Sequence, residues 1–333
     1  MIRIIFSTAI FFLLTSGCQT SENKEIIMTV TGPVQANKMN LSLVHEHILV
    51  DFTGGDTTKI KRWKISDVSK KALPFLLEAK ELGCYTFVEC TPVFLGRDPL
   101  LLKNLSEASG LNIITNTGYY VVPDFLRDQS ADQFAEKWIS EWEDGIDSTG
   151  IRPGFIKLRV ESGNLSGQSQ KLIMAAARTH LKTGMVISSH TGPAIPAFQQ
   201  IEILKNEGVS PTAFIWVHAQ SEKNYEKHLE AAREGAWVSL DGLSDKNVSD
   251  YLEMIKNLKQ GNLLHKVLLS HDAGWYTPGA ENGGNYRGYS TLFEKLIPLL
   301  RNEKFSEKEI KQLLVHNPAE AFTIRIRKLD NGR

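Results

Sequence analysis

Leu43-Val44-His45-Glu46-His47-Ile48-Leu49-Val50-Asp51 is a short apolar run interrupted by two histidines one residue apart. Its length and alternation predict a strand, and in a strand side chains two apart leave the same face. His45 and His47 then project together while Glu46 faces the other way. Two imidazoles on one rigid face make half of a metal site. A pair of surface histidines would look the same, so the remainder of the chain has to decide.

Working outward, short apolar runs alternate with amphipathic stretches. The strands expected are Leu43–Leu49, Cys84–Glu89, Leu111–Thr117, Phe155–Val160, Met185–Ser189, Phe214–His218, Ala236–Leu240 and Lys266–Ser270. Helical patterns lie between them, at Ser66–Leu82, Asp132–Glu143, Gln168–Lys182, Pro196–Glu207, Ser221–Glu234 and Asp245–Gln260. Strands interleaved with helices imply a parallel sheet with crossover helices, and eight strands close an α/β (β/α)₈ TIM barrel. A doubly wound open sheet would carry a glycine-rich phosphate turn after its first strand, where this chain has His45 and His47. Asp98-Pro99 and Asn317-Pro318 read as helix starts. No linker divides the chain, so residues 29–333 are expected to form one domain.

The beginning of the chain reads as targeting. Arg3 precedes an apolar run, Ile4 to Leu14, which is too short to span a ~30 Å hydrocarbon core as a helix. Thr15-Ser16-Gly17-Cys18 follows, so residues 1–18 resemble a bacterial lipoprotein signal with Cys18 as the lipidated residue. Residues 19–28 would be a polar tether, and the protein would be exported and held on a bacterial membrane by a lipid anchor alone. The 38 basic and 38 acidic residues cancel, which gives no case for nucleic acid. Cys84 and Cys90 bracket one strand of ~20 Å, too far apart for a disulfide.

In such a barrel, catalytic residues come from the C-terminal ends of several strands. There the sequence places His45 and His47, then Lys157, His190, His218, and finally His271 and Asp272. Five of the nine histidines stand at the ends of the first, fifth, sixth and eighth strands. His271 should face away from the site occupied by Asp272. A lysine inside an apolar strand is rarely buried without an acid or a metal. Phe155, Lys157 and Arg159 share one strand face.

His45-x-His47, Lys157, His190, His218 and Asp272 resemble the site of the phosphotriesterase family of the amidohydrolase superfamily. Thr29-Val30-Thr31-Gly32-Pro33, Asn116-Thr117-Gly118-Tyr119-Tyr120 and Asn317-Pro318-Ala319 are similar to that family as well. The resemblance implies a barrel with two divalent metal ions, usually Zn²⁺, bridged by a carboxylated lysine (N6-carboxylysine) and a hydroxide. His45, His47 and Asp272 would hold one metal, His190 and His218 the other, and Lys157 would bridge them. The hydroxide would attack an ester, lactone or amide carbonyl, or a phosphoester, with Asp272 as general base. An unmodified ammonium between two cations would be strongly repelled, whereas a carbamate supplies an oxygen to each.

Departures from the family pattern lie around the site. The aspartate usual three residues after the sixth-strand histidine is Ser221, followed by Glu222, which could serve as the proton relay. Leu240-Asp241 is followed by Gly242 where lactonases usually carry arginine. Tyr120 matches a tyrosine that lies near the hydroxide in that branch. The long last loop offers Trp275, Tyr276, Tyr286 and Arg287. An aromatic wall with one cation suits a small-molecule substrate pairing an apolar part with an anion, such as an N-acyl amino acid. The competing class is a lipid-anchored metal- or ligand-binding barrel without catalysis; a homodimer is a possible assembly.

Overall fold

Every expected strand forms. In the computed structural model, which describes residues 25–53 and 61–330, eight parallel strands follow one another around a barrel. They are β1 (Ser42–Glu46), β2 (Thr86–Glu89), β3 (Asn112–Ile114, resumed at Asn116–Thr117), β4 (Phe155–Arg159), β5 (Val186–His190), β6 (Phe214–Val217), β7 (Trp237–Leu240) and β8 (Val267–Leu269). Each pairs in parallel with the next from β1 to β8, β3 handing over from β2 to β4 at Thr115. The crossovers carry α1 (Ile65–Glu81), α2 (Pro99–Ser109), α3 (Ala131–Asp144), α4 (Gly167–Thr183), α5 (Ala194–Asn206), α6 (Glu226–Glu234) and α7 (Val248–Gln260). Asp98 caps α2 as the sequence suggests, its carboxylate accepting from the Leu101 amide.

Two apolar layers follow from strand alternation. Outward side chains such as Leu43, Phe87 and Ile113 pack under the helices. Inward ones, among them Val44, Val88, Phe155 and Leu268, fill the barrel, and Ile27, Met39 and Phe322 close its floor. Cys84 and Cys90 are buried free thiols, one in each layer.

The seam between β8 and β1 is closed by side chains. Glu46, on the outer face of β1, accepts from Ser270 Oγ at 2.7 Å, His271 N at 2.9 Å, His271 Nδ1 at 2.7 Å and Ala273 N at 2.9 Å. The backbone adds Asp272 N to His45 O at 3.0 Å. A carboxylate with four donors is a fully satisfied buried charge.

Three expectations are corrected. The tether is shorter than residues 19–28, because Ile26–Thr29 is already a strand, paired in a hairpin with Gly32–Gln35; Cys18 and the segment 1–18 lie outside the described residues. Asn317 does not start a helix. It continues a helical run in which a π turn, Gln312–His316, ends two residues before Pro318. A second π turn, Leu292–Leu296, precedes Pro298 in the same way. Proline has no N–H and crowds the carbonyl four residues back, and the wider π turn relieves both. Finally, α6 begins at Glu226 instead of Ser221, because His218 turns left-handed (φ 60°) and sends Ala219–Ser221 into a separate 3₁₀ turn. Among the described residues no helix is long and apolar enough to cross a membrane.

Candidate active site

The first two histidines owe their direction to a bulge. The pairing of β1 with β2 shifts register between Leu43 and Glu46, an extra residue that breaks strict alternation. Leu43 therefore packs outward and Val44 inward, yet His45 and His47 still reach the cavity at the barrel mouth. Two close approaches complete the rim. Gly118 (φ +101°) lies where a Cβ would come within 2.3 Å of Lys157 O, and Gly274 (φ +98°) where one would meet His47 O at 1.9 Å. Any larger residue would push the loops after β3 and β8 away from the site.

The imidazoles are held from behind. Asp241, fully buried at the end of β7, accepts His45 Nδ1 at 3.0 Å and His218 Nδ1 at 2.7 Å. It also accepts the His218 amide at 3.0 Å and Ser239 Oγ at 2.7 Å. Those bonds put the proton on Nδ1 of both rings and leave each Nε2 lone pair facing the cavity. His47 Nδ1 is held in the same way by Thr91 Oγ1 at 2.7 Å. Burial would raise the Asp241 carboxyl, but the charges of His218 and His45 and their hydrogen bonds hold it well below the usual range. Asp241 was not singled out from the sequence; its signal was the one shared by the other site residues, a polar group at a strand's C-terminal end.

In front of these rings stands Asp272. Its Oδ1 lies 3.1 Å from His47 Nε2 and 3.8 Å from His45 Nε2, and its Oδ2 4.0 Å from His218 Nε2. Burial opposes its charge, yet the hydrogen bond from His47 and the nearby imidazoles keep the carboxyl far below the usual range. Asp272 has left-handed backbone (φ 53°), an uncommon conformation that the surroundings must enforce. Arg287 supplies the enforcement: its Nη2 donates to His271 O at 2.5 Å and Asp272 O at 2.6 Å.

His190 faces the other imidazoles through Nδ1, 2.8 Å from His218 Nε2 and 3.2 Å from the Tyr120 hydroxyl. Burial first, then His218, Lys157 and His45, pull its pKa down to about 2. His45 falls to about 4, through burial and then Lys157. For His218, burial acts to lower the pKa, but Asp241 overrides it and the net shift is upward. Lys157, almost fully buried, has its Nζ 3.2 Å from His45 Nε2. Among the described residues no carboxylate lies within ion-pair distance of it.

This donor set fits cations. Two groups of His and Asp atoms lie within 4.8 Å of one another, His45/His47/Asp272 and His45/His218/Asp241. In the second, Asp241 already binds the Nδ1 side, so the useful ligands there are the Nε2 atoms. His218 Nε2 and His190 Nδ1 at 2.8 Å need a proton or a cation between them. A buried ammonium whose hydrogen-bond partner is one imidazole is poorly compensated; a carbamate on the same nitrogen with two metals would be well compensated.

Other expected residues separate. Tyr120 and Trp275 line the cavity, which is open to solvent, with His45, His47, Lys157, His190, His218 and Asp272. Tyr276 does not: its ring packs beneath Gly283 and joins the outer apolar layer. Tyr286 is buried too, bonded to Tyr289 and stacked on Phe75. Arg287 is not among the cavity residues, its guanidinium being engaged by backbone carbonyls. Glu222 is not among the cavity residues either, and its carboxylate accepts Ala194 N at 3.0 Å and Asn224 N at 2.8 Å. His271 faces away as expected, between Glu46 and the Leu292 amide.

A (β/α)₈ barrel whose mouth gathers imidazoles, a carboxylate and a buried lysine has the architecture of a metal-dependent hydrolase. The chain belongs to the Phosphotriesterase family, whose sequence profile matches residues 25–322. It is 27% identical over 292 residues to the phosphotriesterase homology protein of Escherichia coli, covering 84% of this chain and 97% of that one. It is 25% identical over 308 residues to the aryldialkylphosphatase of Saccharolobus solfataricus, covering 87% and 97%. It is 28% identical over 264 residues to the N-acetyltaurine hydrolase of Dictyostelium discoideum, covering 74% and 70%. Among solved structures, a double mutant of organophosphorus hydrolase from Deinococcus radiodurans superposes with a TM-score of 0.82 at 26% identity, over 90% of this chain and 97% of that one.

Proposed function

We propose that this protein hydrolyses an ester, lactone or amide of a small substrate. The observation that carries the reading is the convergence of His45, His47 and His218 Nε2 with His190 Nδ1, Asp272 and Lys157 on one small, partly apolar cavity. Two divalent metals, Zn²⁺ by analogy with the family, would be held by these side chains and would supply Lewis acidity and a nucleophile from water at neutral pH. Asp272, ionised and facing the cavity, takes the proton from the attacking water and passes it to the leaving group. Tyr120 is kept protonated by burial, Arg159 opposing that shift and Asp272 adding to it, so its hydroxyl can donate to a substrate oxygen. Trp275, edge-on to His47 with ring centroids 5.7 Å apart, walls the apolar side. The names of the aryldialkylphosphatase and N-acetyltaurine hydrolase relatives point to different bonds.

The test is turnover of aryl esters, lactones and N-acyl amino acids by the zinc-supplied chain and by Lys157→Ala. The variant should stay folded, bind less metal and lose nearly all activity, part of which a small free carboxylate restores. The native mass of the metal-loaded wild type should exceed sequence plus metals by one carbon dioxide. If that increment is missing and Lys157→Ala keeps two metals and normal turnover, the bridging role is wrong. No turnover on any substrate would instead support a binding barrel. We also propose export and lipid anchoring through Cys18, supported by the residues around it. Cys18→Ser should then release the protein from the membrane fraction, and unchanged fractionation would refute the anchor.

A further inference from the structure

Arg159 ends β4 two residues beyond Lys157, so both side chains leave the strand on the same face, roughly 7 Å apart along it. Its backbone is in register with His190. Its guanidinium carbon lies 5.3 Å from the centre of the Tyr120 ring, a contact that orients the cation and leaves its N–H fork unengaged. Among the described residues no carboxylate reaches ion-pair distance of it and no carbonyl accepts from it. The other cations nearby are committed: Arg287 to the His271 and Asp272 carbonyls, and Arg127 to Asp124 at 2.9 Å.

Arg159 lies in a groove that shares Tyr120 with the catalytic cavity, so the two spaces adjoin at that ring. The carboxylate lining this groove, Glu161, is occupied by Ser166 N at 2.7 Å and by Ser169 Oγ. The groove therefore presents one uncompensated guanidinium beside an aromatic ring that also borders the catalytic cavity. A guanidinium fork matches a carboxylate bidentately.

We propose that Arg159 is the specificity-determining residue, binding the carboxylate of a short N-acyl amino acid whose acyl carbon lies over Lys157 and Asp272. This rests on the hydrolytic reading above and adds the substrate's charge and the residue that reads it. Arg287, the cation expected from the sequence, has the wrong partners for that task.

The experiment compares N-acetyl-β-alanine with its neutral amide, N-acetyl-β-alaninamide. Each is offered to the whole zinc-supplied chain, to Arg159→Gln and to Arg159→Lys. Acetate release gives kcat and KM, and calorimetry gives binding independently of chemistry. The wild type should prefer the anion. Arg159→Gln should cut that preference ~10- to 100-fold, as loss of a charged hydrogen-bond pair does, chiefly through KM, and Arg159→Lys should keep part of it. Arg159-dependent anion binding without acetate release would refute hydrolysis and leave the anion site standing. Release indifferent to charge and to Arg159 would do the reverse. A wild type with no preference, or with no binding and no turnover of either compound, overturns the proposal.

Discussion

Two aspartates address the same imidazoles from opposite sides. Asp241 has no exposed side-chain surface and its oxygens take four donors, from His45, Ser239 and twice from His218. Asp272 is 22% exposed, touches His47 at 3.1 Å, and has carboxylate lone pairs left over toward the cavity. Both carboxyls are held below their usual range by neighbouring imidazoles. Charge therefore does not distinguish them; saturation does. A carboxylate with every lone pair engaged can only orient, whereas one with open lone pairs can bind a cation or move a proton.

That contrast can be broken by substitution. Asp272→Asn should lower turnover by ~10²- to 10⁴-fold, the scale of a lost general acid–base group, with the circular dichroism spectrum unchanged. Asp241→Asn should cost less, ~10- to 100-fold in metal affinity or activity, because it disturbs ring orientation alone; equal losses in the two variants would erase the distinction. Thr91→Val sharpens the comparison further. It removes from His47 Nδ1 a neutral oxygen in place of a charged one, so metal titration should show a ~2- to 10-fold loss, the range of one net hydrogen bond. A loss as large as that in Asp241→Asn would mean that charge behind the ring is unimportant.

The residues legible in the sequence are those whose position fixes their direction. His45, Lys157, His190, His218 and Asp272 stand in or just beyond strands of one barrel, and inward side chains toward the C-terminal side of a barrel strand have one mouth to face. Trp275 and Tyr120, in the loops after β8 and β3, also reach the cavity. Tyr276, Arg287 and Glu222 lie in loops, where neighbouring carbonyls, amides and ring packing decide direction, and their sequence positions carry no record of those partners. The left-handed turns at His218 and Asp272 were equally invisible, since neither residue type demands them. Asp241 is readable in principle, since it follows β7 as His218 follows β6.

The clasp at Glu46 ties the site to the order in which the chain is made. Its donors Ser270, His271 and Ala273 lie about 225 residues downstream. At a synthesis rate of ~5–20 residues per second, roughly 10 to 45 s separate the two halves of that contact. Until then β1 is an edge strand and His45 lacks Asp272 in front of it. High-affinity metal uptake must therefore come late, after the ring has closed.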